Sequence, residues 1–296
     1  MKHTHSALLL VCLASFLLTG CGSGKAGSSE NPYVCTKQTA SAGNYVTYDY
    51  DANGNCTKES RYSASGNLTG WTETTYSEDN QPTEILTYNE SGDVQTRVQN
   101  KYKNGNLAVT VSLDGSNGKD YEEAFSYDKN GHLTKRVHTE NHGSASNNYW
   151  CEITTDDQGR QTKSVQHSGT EDHPAADTIT IESLYNETGH LVKSSTYTND
   201  VLDSWDEMDY DADGRLVNTS TYDAQGNLQV KYTNTYDKHG NLTQTDILTA
   251  DKNEPLVTYD YLTLKQYLKN AAYQHKRPAS GRSFSFSYSI STIYFP

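Results

Sequence analysis

One spacing governs what this chain can fold into. Tyr-Asp-x-x-Gly occurs at Tyr50, Tyr127, Tyr210, Tyr222 and Tyr236, and Tyr-x-x-x-Gly recurs at Tyr62, Tyr88 and Tyr185. With 21 Gly and 23 Tyr in 296 residues, chance would place far fewer than these eight. The motif reads as a hairpin turn. The carboxylates of Asp51, Asp128, Asp211, Asp223 and Asp237 can accept bonds from the turn's own amides. Gly54, Gly131, Gly214, Gly226 and Gly240 supply the positive φ that closes a short loop.

Successive tyrosines alternate between 12 and 14 residues apart, as in Tyr50–Tyr62–Tyr76–Tyr88–Tyr102 and Tyr210–Tyr222–Tyr236. The unit is therefore a double hairpin of about 26 residues, with successive turns on opposite edges. Weaker turns are expected at Asn141-His142-Gly143, His167-Ser168-Gly169 and Tyr197-Thr198-Asn199-Asp200. The fold class is all-β, an antiparallel meander of repeated hairpins in an open, twisted or curled sheet. Strand alternation places Leu68 with Tyr76, Val94 with Tyr102, Leu191 with Tyr197, Leu216 with Tyr222 and Leu228 with Tyr236 on one better-buried face.

The turns YDADGRL, YDAQGNL and YDKHGNLT resemble the YD repeats of the RHS family over about residues 48–250. The resemblance implies β-hairpin strips, which in that family coil into a large shell around a toxin cargo. The chain is short for such a shell, and its period alternates.

Met1 to Ser6 carries Lys2, Ala7 to Leu18 is a short apolar run, and Leu18-Thr19-Gly20-Cys21 follows. That order describes a secretory signal. The cysteine at the cut resembles the bacterial lipobox, which implies acylation of Cys21 and a lipid anchor in the cell membrane on its extracytoplasmic face. Residues 1–21 are thus the signal and 22–44 a Gly/Ser-rich tether. Residues 45–262 form the array, and 263–296 a helix/strand cap or tail. Thr263 to His275 has a helical pattern, and Ser283 to Ser291 alternates Ser with Phe284, Phe286, Tyr288 and Ile290.

The net charge is −13, and loss of Lys2 with the signal makes the mature chain −14. That balance argues against nucleic acid, whose phosphates need clustered Lys and Arg. Hydrophobic residues make up 33% and mean hydropathy is −0.82, so any core is thin. After Cys12 and Cys21 are accounted for, Cys35, Cys56 and Cys151 remain, and Cys35–Cys56 is the near pair for a possible disulfide.

The candidate ligand positions lie on the face opposite the tyrosines. Five residues before a unit-starting residue stand Tyr45, Trp71, Trp150 and Trp205, and Glu73, Glu152 and Glu207 follow the tryptophans by two. An indole can stack on an apolar sugar face while a carboxylate accepts hydroxyls. The simpler reading of the same residues is that each Trp covers the polar face of a thin sheet. Asp209-x-Asp211-x-Asp213-Gly214 and Asp49-x-Asp51-x-Asn53-Gly54 copy the opening of a calcium loop, but Ser220 and Ser60 stand where the bidentate Glu belongs. No metal, cofactor, nucleophile or phosphate-loop motif is present. The expectation is a non-enzymatic surface platform for adhesion or for glycan or protein binding. The alternatives are a structural envelope spacer or a fragment related to RHS toxins.

Overall fold

The computed structural model describes residues 32–141 and 147–275. Its strands run β1 (Tyr33–Ala40), β2 (Tyr45–Tyr50), β3 (Cys56–Tyr62), β4 (Leu68–Tyr76), β5 (Pro82–Asn89) and β6 (Val94–Lys103). They continue as β7 (Asn106–Asp114), β8 (Lys119–Tyr127), β9 (Leu133–Glu140), β10 (Tyr149–Thr155), β11 (Gln161–Thr170) and β12 (His173–Tyr185). The last are β13 (Leu191–Thr198), β14 (Val201–Tyr210), β15 (Leu216–Asp223), β16 (Leu228–Tyr236), β17 (Leu242–Leu248) and β18 (Asn253–Thr263), followed by helix α1 (Leu264–His275).

Each strand pairs antiparallel with the next, and β1 pairs with β18 from Tyr33↔Thr263 to Ala40↔Val257. The open sheet expected from the repeat is therefore corrected: the array closes into an 18-stranded barrel. Strand twist, with a bulge beside each closing tyrosine such as Thr75/Tyr76 and Thr235/Tyr236, bends the ladder steadily. Closure satisfies both edge strands at once. The closing strand β1 lies inside the segment read from sequence as tether.

The turns form as the motif dictates. In the first, Gly54 N donates to Asp51 O at 3.1 Å, Asp51 Oδ1 accepts from Asn53 N and Asn55 N at 2.9 Å each, and Gly54 sits at φ 86°. Asn104-Gly105 and Asn199-Asp200 make two-residue turns with both residues at positive φ. Of the weaker turns, residues 142 and 143 lie outside the described residues, as do Cys21 and Ser283 to Ser291.

Both ends of the described barrel meet at one rim, where Leu264 N donates to Pro32 O at 2.7 Å. This proximal rim carries the turns after even-numbered strands, and the distal rim those after odd-numbered ones. α1 forms as expected, with a reciprocal capping box: Thr263 N donates to Gln266 Oε1 at 3.1 Å and Gln266 N to Thr263 Oγ1 at 3.3 Å. The helix packs Leu264, Tyr267 and Leu268 with Val34, Tyr48, Tyr50 and Cys56, the one hydrophobic cluster among the described residues.

The two faces of the wall differ, but plain alternation misassigns the Leu/Tyr pairs, because the register shift beside each closing tyrosine reverses the parity. Leu216 pairs with Tyr210 on one face while Tyr222 pairs with Trp205 on the other. Leu68 lies with Tyr62 on the tryptophan face, opposite Tyr76. Along β14, Tyr210, Met208, Asp206, Ser204 and Leu202 are enclosed to varying degrees, whereas Asp209, Glu207, Asp203 and Val201 are exposed. Burial is not confined to one face. Thr110, Thr196, Thr219 and Thr245 are buried on the tyrosine face; on the tryptophan face Ser60, Thr180, Ser195 and Ser220 are buried, while Thr75, Thr235 and Thr258 are exposed. Neither face is an apolar belt. Lys58–Glu73 (3.0 Å) and Arg97–Glu84 (2.6 Å) lie on the tryptophan face, and Arg61–Glu59 (3.2 Å) on the other. A barrel spanning a bilayer needs an uncharged outer band, which this wall lacks.

The Cys35–Cys56 disulfide is also corrected. Strand β2 separates the two cysteines, so their Cα atoms stand about 10 Å apart by strand spacing, beyond a disulfide's reach. Cys35 Sγ instead donates to Lys37 O at 3.5 Å and Cys56 Sγ to Lys58 O at 3.6 Å.

Candidate functional site

The tyrosine face is held by a repeated bond. Tyr50 Oη donates to Cys35 O (2.7 Å), Tyr76 to Cys56 O (2.9 Å), Tyr102 to Pro82 O (3.0 Å) and Tyr127 to Leu107 O (2.8 Å). Tyr185, Tyr210 and Tyr236 do the same to Gln161 O, Leu191 O and Leu216 O, at 2.9, 2.9 and 2.8 Å. Each of these seven tyrosines thus pins a backbone carbonyl at or near the start of the preceding strand. Burial pushes the hydroxyl pKa of Tyr76, Tyr102, Tyr127, Tyr185, Tyr210 and Tyr236 upward. The turn aspartates are committed as well. Asp211 Oδ1 accepts from Asp213 N and Arg215 N at 3.0 and 2.9 Å, and Oδ2 from Arg215 Nε at 2.7 Å. The backbone amide of Arg215, ahead of its side chain, holds the Asp211 carboxyl below the ordinary range. Among the described residues no group of His, Cys, Asp and Glu is arranged to hold a metal.

The four candidate aromatics all lie on the tryptophan face, each beside an aromatic ring of the next strand. Trp71 stacks on Tyr88 at 4.8 Å, and Lys58 Nζ sits over the Trp71 ring at 4.8 Å. Trp71 Nε1 donates to Glu73 Oε1 at 3.0 Å, and Lys58 pairs with the same carboxylate. Trp205 repeats the arrangement: it stacks on Tyr222 at 5.3 Å, Lys193 lies over it at 4.8 Å, and Nε1 reaches Glu207 Oε1 at 3.1 Å. Tyr45 stacks on Tyr62 at 4.8 Å beneath Lys37 at 4.4 Å. These are closed clamps. A cation and a ring flank the aromatic, so a sugar would have to displace the lysine to stack there.

Trp150 departs from this pattern. It stacks on His167 at 4.7 Å, and it is 8% exposed whereas Trp71 and Trp205 are half-buried. Glu152 is 70% exposed at its side chain and lies 3.6 Å from His167 Nε2. The sequence located these aromatics but not their covering groups, because Lys58, Lys193, Tyr88 and Tyr222 reach them only across strands.

A second cluster went unread in the sequence. On the tyrosine face, His138 stacks on Tyr149 at 4.6 Å, with Nδ1 3.5 Å from Glu123 and Nε2 3.3 Å from Glu140. Tyr149 Oη donates to Glu123 at 3.1 Å, and burial pushes the Tyr149 hydroxyl pKa up strongly. These contacts reinforce the short β9–β10 ladder, which runs only from Lys135↔Glu152 to His138↔Tyr149.

Only coarse structural likeness accompanies this geometry. No protein-family model and no curated protein sequence matches the chain. Its fold is similar to part of the structure titled TcdB2-TccC3-Cdc42, at 18% identity and a TM-score of 0.38, over 77% of this chain and 15% of that one. The chain thus spans a small fraction of that protein's length. Porin-like proteins from Bacteroides uniformis and Bacteroides vulgatus are similar at 12% and 14% identity, both with a TM-score of 0.37. Each match covers 77% of this chain, and 96% and 98% of the porin-like chains respectively.

Proposed function

We propose that this chain is a non-catalytic, lipid-anchored surface protein, a closed barrel of YD-type hairpins that displays its wall and distal rim for glycan or protein binding. The observation that carries this reading is the shared rim of the two ends, where Tyr33 pairs with Thr263 and Leu264 with Pro32. A lipid on Cys21 would hold that rim near the membrane. Residues 22–31 would span at most about 35 Å, so the opposite rim would face outward. The enclosed tyrosine face would line the barrel, since side chains converge on the concave side of a closed wall. Eighteen strands leave room for water inside. Two tests apply. Alkyne-fatty-acid labelling of cells should mark the wild type and not Cys21→Ser; equal labelling would remove the anchor. Residues 32–296, presented to glycan and envelope-protein arrays, should retain a discrete set of ligands; a blank array would remove the platform.

A specific observation favours a second reading, a spacer without a ligand. In the Trp71 and Trp205 clamps, Lys58, Glu73, Lys193 and Glu207 already satisfy what a ligand would engage.

A further inference from the structure

The hairpin between β11 and β12 is built unlike the others. β12 is 13 residues long, and between Thr178↔His167 and Pro174↔Gly169 it carries Ala175, Ala176 and Asp177 against Ser168 alone. This bulge bends the tip, and residues 170–177 are exposed throughout. Glu171, at the tip, forms an ion pair with Lys135 of β9. Had the hairpin run straight on, their Cα atoms would stand about 20 Å apart, from the strand rise and spacing, too far for the two side chains. The tip must fold back across β10, over the tryptophan face.

What it crosses is distinctive. Cross-strand register aligns Ala124, Val137, Trp150 and His167 in one row, an apolar stripe on a face otherwise rich in ion pairs. His167 Nε2 is buried without a hydrogen-bond partner. Lys135 stands opposite Glu152 as Lys58 does opposite Glu73 and Lys193 opposite Glu207, but it pairs with Glu171 of the strap.

We propose that the strap is a lid latched by Lys135–Glu171, and that Trp150, with Glu152 and His167, is a saccharide platform beneath it. The indole and the Val137 side of the stripe would take the apolar face of a neutral sugar ring. Glu152 would accept its hydroxyls, and His167 Nε2, 3.6 Å from Glu152 but without a hydrogen bond, would gain one. The proposal rests on the binding role above and assigns it to one of four look-alike positions.

The test uses the soluble 32–296 chain carrying 5-fluorotryptophan, whose three ¹⁹F resonances are assigned with Trp150→Phe. In Glu171→Gln, a soluble paramagnetic agent should broaden the Trp150 resonance several-fold more than in wild type, leaving Trp71 and Trp205 unchanged. A variant with residues 170–177 replaced by Asn-Gly should behave alike. If both variants leave the Trp150 broadening at the wild-type level, there is no lid. Neutral hexasaccharides of glucose, N-acetylglucosamine and xylose are then titrated. If the latch leaves the open form about one-tenth populated, one of them should shift Trp150 with about tenfold tighter apparent affinity in Glu171→Gln. No shift with any of them would overturn the platform. Binding that survives Trp150→Phe and moves no Trp150 signal would overturn this assignment while leaving the surface-binding reading intact.

Discussion

Tyr236 Oη donates to Leu216 O at 2.8 Å, joining the end of β16 to the start of β15 beside the bulge that the turn creates. The bond explains why a tyrosine closes the repeat unit where phenylalanine would pack as well. A bulge leaves ladder groups unpaired; Leu216 O takes this bond and a second from Asn234 Nδ2 at 3.0 Å, so loss of the hydroxyl removes one of its two side-chain donors. Tyr236→Phe should therefore cost about 1 kcal/mol. Leu216→Ile, which keeps the carbonyl, should not abolish the effect. Urea unfolding of both single variants and the double variant decides the matter; a Tyr236→Phe midpoint equal to wild type would show the hydroxyl to be idle.

Gly240 isolates the backbone requirement of the turn. It sits at φ 83°, and an added Cβ would meet only the Arg215 side chain, at 3.9 Å. Space is available, so Gly240→Ala carries only the left-handed penalty, about 1–2 kcal/mol. Gly240→Asn should recover part of this, since Asn tolerates that region, as Asn104 and Asn199 do in this chain. Thermal unfolding of the two variants should rank them in that order below wild type.

The motif turns and the unit length were legible because they are written in local residues: Asp51 and Gly54 make their turn within five positions. The faces were not, because the bulge beside each closing tyrosine reverses the alternation and brings Tyr88 and Tyr222 onto the tryptophan face, and the turn expected at His167-Ser168-Gly169 lies inside β11. Closure was not. It depends on Tyr33–Ala40 meeting Asn253–Thr263 across the whole array, and β1 carries no turn motif to announce it. The strap left one trace. Thr155 to Tyr185 is 30 residues where the unit is about 26, and the excess falls at Glu171–Asp177 around Pro174. Clamp positions could be found from spacing, but their satisfaction depends on register between strands, which spacing alone does not supply.

The clamps make a prediction about which contacts matter. Lys58 and Glu73 are 35% and 44% exposed at their side chains, so water screens the pair. A double-mutant cycle on Lys58→Ala and Glu73→Ala should give coupling below about 0.5 kcal/mol. The Trp71–Tyr88 stack should couple more strongly, by about 0.5–1 kcal/mol. The reverse ranking would mean that the β3–β4 ion pair, not the β4–β5 ring stack, is the stronger cross-strand contact of the clamp.

Asp206 is buried on the tyrosine face, accepting from Thr221 Oγ1 at 2.5 Å. Burial raises its carboxyl pKa against that hydrogen bond. A folded-state value above the unfolded one means that stability is fullest at acid pH and is lost as the group ionises. Asp206→Asn should therefore raise Tm at pH 7, and its advantage should vanish near pH 3, where both states of the wild type are protonated. An equal gain at both pH values would point to packing instead of charge.

The repeat also sets a two-sided pH profile. The Asp128 carboxyl is held low by the backbone amide of His132, Asp211 by that of Arg215, and Asp223 by the Asn227 side-chain amide. For these groups stability is present above the ordinary carboxylate range and is lost as pH falls below about 4. Tyr76, Tyr102, Tyr127, Tyr185, Tyr210 and Tyr236 have the opposite sign. Their raised values hold stability in full below the free-tyrosine value and lose it as pH rises beyond about 10. Tyr267 is pushed up to about 12, first by burial and then by its bond to Asp49. Ionisation would also remove the donors that pin Cys56 O, Pro82 O and Leu216 O. Thermal unfolding should thus show a plateau from about pH 5 to 9 with a fall on each side. The alkaline fall should coincide with the ultraviolet titration of tyrosinate. If Tyr76, Tyr102 and Tyr236 ionise at the free value while the barrel stays folded, the hydroxyl ladder does not bear on stability.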